Sequence, residues 1–303
     1  MWVRIKKRTL LLFAAFFLIL PFFLSNNYAV YVVNRGFTNA IAVIGLVILY
    51  GIAGSAYCSA ICSATYNLPV FVSMMLGVLL SCVFGILLSF PAFKLSGPFL
   101  SICTVAFGEV VRQLIINLEG LTGGPYGFYN IPPVKIMGTV IRDEKIWYFI
   151  LLVILVILAS CAARIKNSYY GRALYAIQED ELVAKIMGIN IRWMKRFAFI
   201  NAAFFAGVAG ALYARFSGFL SQELVAADQS NLLFSVTVLG GTDSIIGALW
   251  SGVALTVAPE VMRFLQVYYI MILYLMVLLV VLVPWNKVWD KVKSKIGKEK
   301  AVI

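Results

Sequence analysis

The chain has 303 residues, 62% hydrophobic and 13% charged, with a mean hydropathy of +0.95. Soluble domains are about half apolar and about a quarter charged, so this composition excludes that class. The net charge of +12 gathers in residues 4–8 (four Lys and Arg), 164–196 (seven) and 287–300 (six). These clusters sit beside apolar runs, where a topology signal belongs and where anionic lipid attracts them, so no nucleic-acid partner is expected.

A bilayer-crossing helix needs about 20 mostly apolar residues. Such spans are expected at about 9–25, 36–53, 68–90, 97–118, 146–163, 197–216, 245–260 and 264–283, with shorter apolar pieces at 54–67 and 230–240. The runs lack the polar alternation of barrel strands. The expected fold is all-α, a polytopic membrane protein of eight to ten transmembrane helices with broken or re-entrant segments, forming one permease-like domain over 1–303.

The N-terminus has the basic start and apolar run of a signal peptide but no clear small-x-small cleavage site, so it reads as an uncleaved first helix. Cys58, Cys62, Cys82, Cys103 and Cys161 all lie in apolar stretches and suit helix packing. The rival reading is a metal or redox pair at Cys58 and Cys62, one helical turn apart.

LSGPFLSICTVAFG (95–108) and FSVTVLGGTDSIIG (234–247) are short, glycine-interrupted segments of the kind transporters place at the bilayer midplane. In the second, Gly240, Gly241, Thr242, Asp243 and Ser244 break an apolar run with polar groups suited to capping a following half-helix; a plain hairpin between two spans is the alternative. KLSGPFLS (94–101) faintly echoes RFSGFLS (215–221), one opening a span and the other closing one, as an inverted repeat would give.

Within the same stretch, Glu109 and Arg112 share a helix face. Counted from Leu95, Glu109 lies roughly 21 Å into the membrane at about 1.5 Å per residue. Buried ionisable groups are costly and point to function; the pair either lines a pathway or fixes helix packing. Glu260 and Arg263 form a similar pair at a span end, where snorkelling makes charge cheap. The external loop 119–145 is dense in Gly, Pro and Tyr, with turn signals at Thr122-Gly123-Gly124-Pro125 and Ile131-Pro132-Pro133. On broken-helix geometry, Gly97, Thr104, Glu109, Arg112, Gly123, Gly124, Gly240, Gly241 and Thr242 are expected to line the pathway.

The polar island 164–196 is cytosolic by the positive-inside rule, as are the N-terminus and the basic tail 284–303. Crossings between any two of these points must then be even in number. Parity requires 54–67 and 230–240 to cross as well, giving ten. The island is long enough to hold helices of its own, which suits a docking surface for another protein. The chain contains no His and no GxxxxGK[ST] phosphate loop, which removes His-based catalysis and the usual ATP-binding motif.

FPAFKLSGPFLSICTVAFGEVVRQLIINLEGLTGGPYGFYNIP (90–132), GRALYAIQEDELVAKIMGINIRWMKRFAFINAAFFAGVAGALYA (171–214) and TVLGGTDSIIGALWSG (237–252) resemble, in order and spacing, the LivM-like permeases of branched-chain amino acid ABC importers. The resemblance implies a non-enzymatic, multi-pass subunit of the bacterial cytoplasmic (inner) membrane. It further implies a second, similar permease, two cytosolic ATPase subunits that hold ATP and Mg, and an external solute-binding protein. This chain itself would bind no cofactor and no metal.

The resemblance also implies that a helix in 171–190, starting at Gly171, seats in an ATPase groove, and the residues agree: Arg172, Glu179, Asp180, Glu181 and Lys185 would give a charged docking face. Ala176, Ile177, Ala184 and Met187 would make apolar contact, and Gly188 would end the helix. After LYGIAG (49–54) the chain departs from the family: SAYCSAICSATYNLPVF stands where relatives carry a longer Gly- and Ser-rich segment. That departure leaves urea or short amides as an alternative substrate class; a stand-alone carrier using Glu109 is the alternative mechanism.

Overall fold

The computed structural model describes residues 7–23, 27–44, 49–93, 98–136, 139–141, 143–225, 227–241 and 244–261, together with 268, 271, 272, 274–276 and 278. Helices run in the order α1 (Lys7–Phe23), α2 (Asn27–Ile44), α3 (Leu49–Ala64), α4 (Val70–Ala92), α5 (Pro98–Asn117), the short α6 (Glu119–Thr122) and α7 (Glu144–Asn167). They continue with α8 (Tyr169–Glu179), α9 (Glu181–Ile186), α10 (Ile191–Ser217), α11 (Ala227–Gly240) and α12 (Ile245–Val261). A two-residue antiparallel hairpin, β1 (Lys135–Ile136) with β2 (Thr139–Val140), decorates the loop before α7. Among the described residues α4, α7 and α10 are long and apolar enough to span a bilayer, and shorter apolar helices accompany them. The protein is an all-α polytopic membrane protein.

Small residues hold its centre. Ser73, Gly77, Ser81, Gly85 and Ser89 recur every fourth residue of α4 and are all buried, while Phe71, Met75, Leu79, Leu87 and Phe90 point outward. In a membrane, large apolar side chains are satisfied by lipid, and helices associate where small residues let backbones approach. A Cβ on Gly85 would stand 2.6 Å from Ala203 Cβ, and one on Gly77 would stand 2.6 Å from the Ser55 carbonyl. The Ser55 hydroxyl donates to the Gly207 carbonyl at 2.5 Å. Helices α3, α4 and α10 therefore form one tight block. Helix α2 packs on α7, α10 and α12, and α11 on α12.

Two span assignments need correction. The expected span 36–53 is divided between α2 and α3, and 54–67 is the second half of α3 rather than a separate crossing. Hydropathy clips α2 because Asn34, Arg35 and Asn39 look like loop residues. Asn34 is instead buried, its amide donating to the Glu144 carbonyl at 3.0 Å, and Asn39 donates to Thr256 at 3.1 Å.

Helix α5 runs unbroken from Pro98 through Gly108, so 95–108 is not interrupted where glycine suggested; residues 94–97 lie outside the described residues. The 240–244 break is present. Gly241 has φ +83°, and the Ser244 hydroxyl accepts from the Gly247 amide at 3.0 Å, capping α12 as expected. Gly240 and Gly247 pack backbone to backbone at this neck, so α11 and α12 form a tight hairpin. RFSGFLS closes α10 at Gly218, as the echo required of it. Arg263 and the tail 284–303 lie outside the described residues, as does most of 264–283.

Candidate functional site

The island folds as two helices rather than one, because each turn has its own cap. Ser168 ends α7, and its hydroxyl accepts from the Gly171 amide to begin α8. Gly171 is required there: a Cβ would lie 2.6 Å from the Lys166 carbonyl carbon and collide with its oxygen. Gly171→Ala should destabilise this corner by about 1–3 kcal/mol through overpacking. Faster proteolysis at 166–172, with the remaining helices still protected, would record it.

Asp180 closes α8 and caps α9, its carboxylate accepting from Leu182 N at 2.8 Å and Val183 N at 3.1 Å. Helix α9 ends in a Schellman pair, Ile189 N to Ala184 O and Gly188 N to Lys185 O, both 3.1 Å, with Gly188 at φ +81°. Gly188 thus ends the helix as expected. Asn190 then caps α10 by accepting from Trp193 N at 3.2 Å.

These bonds divide the expected charged face. Asp180 is spent on its cap, Arg172 donates to the Asn167 carbonyl at 3.1 Å, and both Glu181 oxygens sit 3.0 Å from Lys195 Nζ. Glu179 and Lys185 stand exposed. The apolar face also differs. Ala184 is buried, Ala176 and Ile177 are half-buried, and Met187 is 77% exposed. Beside Met187 stand Leu182, Val183 and Ile186, exposed by 69%, 52% and 75%. Sequence reasoning missed these three, although their i, i+1, i+4 spacing after the Asp180 cap places them on one face. Covering each such side chain is worth about 1.5–3 kcal/mol.

The expected lining residues are scattered. Glu109 and Arg112 pair at 2.9 Å on α5 with side chains 54% and 33% exposed, and Gln113 also donates to Glu109. The pair lies within one helix, so it fastens α5 to no neighbour. Thr104 is half-buried one turn earlier. Around them Phe99, Ile102, Val105, Val110 and Leu114 are exposed, so α5 carries a charged pair on a broad apolar face.

Gly123 and Gly124 have positive φ and form the turn after α6. A Cβ on Gly123 would lie 2.9 Å from the Gly127 carbonyl carbon, and one on Gly124 would lie 2.6 Å from Glu119 Cγ. The loop beyond is clasped to the end of α10: Phe128 and Leu220 exchange backbone hydrogen bonds at 2.8 and 3.0 Å, and Tyr129 packs on Phe219. Gly240 belongs to the hairpin neck, and Gly241 is exposed at its turn. Gly97 and Thr242 lie outside the described residues. Cys58 and Cys62 are half-buried on α3, and among the described residues no His, Cys, Asp or Glu cluster could hold a metal.

The α3 segment carries Ser55, Ser59 and Ser63, one turn apart and buried. Above them sits Arg215 of α10, 4% exposed. Its guanidinium donates to the Ser59 carbonyl at 2.8 Å, the Ser73 hydroxyl at 2.7 Å and the Pro132 carbonyl at 2.9 Å. Arg215 was also missed; a lone cation within a span was the available signal.

The family model for the branched-chain amino acid transport system permease component matches residues 28–282. The chain is 30% identical over 299 residues to the high-affinity branched-chain amino acid transport system permease protein LivM of Escherichia coli, covering 88% of this chain and 70% of that protein. It is 31% identical over 295 residues to LivM of Salmonella typhimurium, covering 87% and 69%. Over 94 residues it is 36% identical to LivH of Salmonella typhimurium, another permease protein of a high-affinity branched-chain amino acid transport system, covering 31% and 30%. No solved structure matches. With most of its length matched, the chain belongs to the family of branched-chain amino acid transport permease components.

Proposed function

We propose that this chain is a permease subunit of an ATP-binding cassette importer of the bacterial inner membrane, taking up branched-chain and other hydrophobic amino acids. Two cytosolic ATPase subunits dock on it, a second permease completes the pathway, and an external binding protein delivers the substrate. The exposed apolar face of α9 carries the reading. Four large apolar side chains on a rigidly capped helix, rimmed by Glu179 and Lys185 within a basic island, fit a protein groove better than open water. Likeness to both LivM and LivH supports a sibling permease as partner, although the LivH match covers less than a third of each chain. Hydrolysis belongs to the ATPases, so ATP and Mg bind there and not in this chain. The positive-inside rule places α8, α9, the N-terminus and the tail 284–303 in the cytosol.

The pathway runs along α5, where Glu109 and Arg112 occupy a face that lipid would penalise and that a water-filled lumen or the sibling permease would accept. Weak contacts suit transit, so affinity resides in the binding protein. Uptake into energised vesicles, with leucine, isoleucine, valine, alanine and urea as competitors, tests the substrate. The expected result is ATP-dependent leucine uptake, blocked by isoleucine and valine and indifferent to urea. Competition by urea alone would reassign the substrate, and uptake without ATP would make the chain a stand-alone carrier.

A further inference from the structure

Helix α9 is joined to α10 by Met187–Asn190, and the Gly188 turn in this linker has φ +81° with nothing within 4 Å of where a Cβ would stand. Its own backbone bonds close this turn and no side chain packs against Gly188, so contacts between α9 and α10 decide how the two move together. One ion pair spans it. Lys195 Nζ, in the second turn of α10, is 3.0 Å from both carboxylate oxygens of Glu181 on α9 and 3.4 Å from the Ala92 carbonyl at the end of α4. A cation there also suits the negative end of the α4 dipole. Its neighbour Arg196 lies over the rings of Phe90 and Phe93, 5.7 and 5.6 Å from their centroids, fastening the same turn of α10 to α4. From this base α10 runs 27 residues along α3 and α4 through close contacts at Gly85, Gly207 and Gly210.

We propose that Lys195 is the positioning residue that turns displacement of α9 into movement of the whole α3–α4–α10 block during transport. This inference rests on the importer reading above. Partly exposed ion pairs add little to stability, so removing this one leaves the fold standing and loosens the tie between α9 and α10. Energy from the ATPases then moves α9 without moving the α3–α4–α10 block against which α5 packs.

The test is amino acid imported per ATP hydrolysed by the complete importer in proteoliposomes, with ATPase co-purification as the assembly control. K195M and E181Q are each expected to lower the ratio at least about fivefold, the small end of usual coupling energies, while the same amount of ATPase co-purifies. K195R is expected to recover most of the ratio, and the K195M/E181Q double variant to be no worse than either single. An unchanged ratio in K195M overturns the proposal while leaving the importer reading intact. So does an equal loss in K195R, which would mean that the side chain only fills space. If the wild-type chain retains no ATPase at all, the importer reading itself fails, and this inference falls with it.

Discussion

Arg215→Met is expected to lower the melting temperature of the detergent-solubilised protein by about 5–10 °C, from a loss of about 2–4 kcal/mol. The guanidinium joins three parts of the chain: Ser59 of α3, Ser73 of α4 and the Pro132 carbonyl of the loop before α7. Hydrogen bonds from a charged donor are worth about 1.5–3 kcal/mol each, and a buried carbonyl left without its donor costs a similar amount. The net loss is smaller than that sum because removing the guanidinium also relieves a buried charge whose Nε finds no acceptor among the described residues. Arg215→Lys should recover less than half, since one ammonium cannot span three acceptors in the fork geometry of a guanidinium. Hydrogen exchange at the Ile131, Val134 and Ile141 amides should rise in both variants, since the Ile141 amide is bonded to the Val134 carbonyl of the same loop. A melting temperature within a degree or two of wild type would show that the three-way junction is held by packing alone.

Gly210→Leu is expected to be more severe, removing folded protein from the membrane. A Cβ at Gly210 would fall on the Ile52 carbonyl, 2.8 Å from its carbon and 2.9 Å from Cα. These are backbone atoms with no rotamer to adopt, so α3 and α10 must part. Separation also stretches the Ser55 to Gly207 hydrogen bond one turn away. Between membrane helices no hydrophobic force draws the pair back together, since association rests on close packing and interhelical hydrogen bonds. Even Gly210→Ala should cost about 1–3 kcal/mol, the usual range for overpacking. Gly120→Ala is the control: Gly120 lies on exposed α6 with nothing within 4 Å of the added methyl. It should be neutral, or stabilising by about 0.4–1 kcal/mol. Size-exclusion profiles and membrane yields of the three variants would order them; equal yields for G210L and G120A would contradict the block of helices described here.

The pattern of apolar length carries the fold class, and Gly188 marks where the island helix ends. The break at Asp180 that divides α8 from α9 was read instead as part of a charged face. The boundary between α2 and α3 was not legible, because the side-chain amides of Asn34 and Asn39 donate to Glu144 and Thr256, more than a hundred residues distant in sequence. The serine and glycine stripe of α4 was legible in principle as a period of four, but hydropathy averages it away.

At the site, Glu179 and Glu181 look alike in sequence, yet Lys195 ties the second inward and leaves the first outside. Only the fold of 181–195 distinguishes them. Gly123, Gly124 and Gly240, expected at a pathway, are each placed where a side chain would strike neighbouring atoms, so turn geometry alone accounts for glycine there.

The central claim is that the exposed face of α9 receives an ATPase, and co-purification tests it most directly. Ile186 and Met187 are 75% and 77% exposed, so Ile186→Asp with Met187→Asp leaves the fold intact and changes only what a partner meets. The double variant is predicted to reach the membrane in wild-type amount, with an unchanged melting temperature, and to retain no ATPase subunit. Full retention of ATPase, with wild-type ATP-driven uptake, would contradict the account.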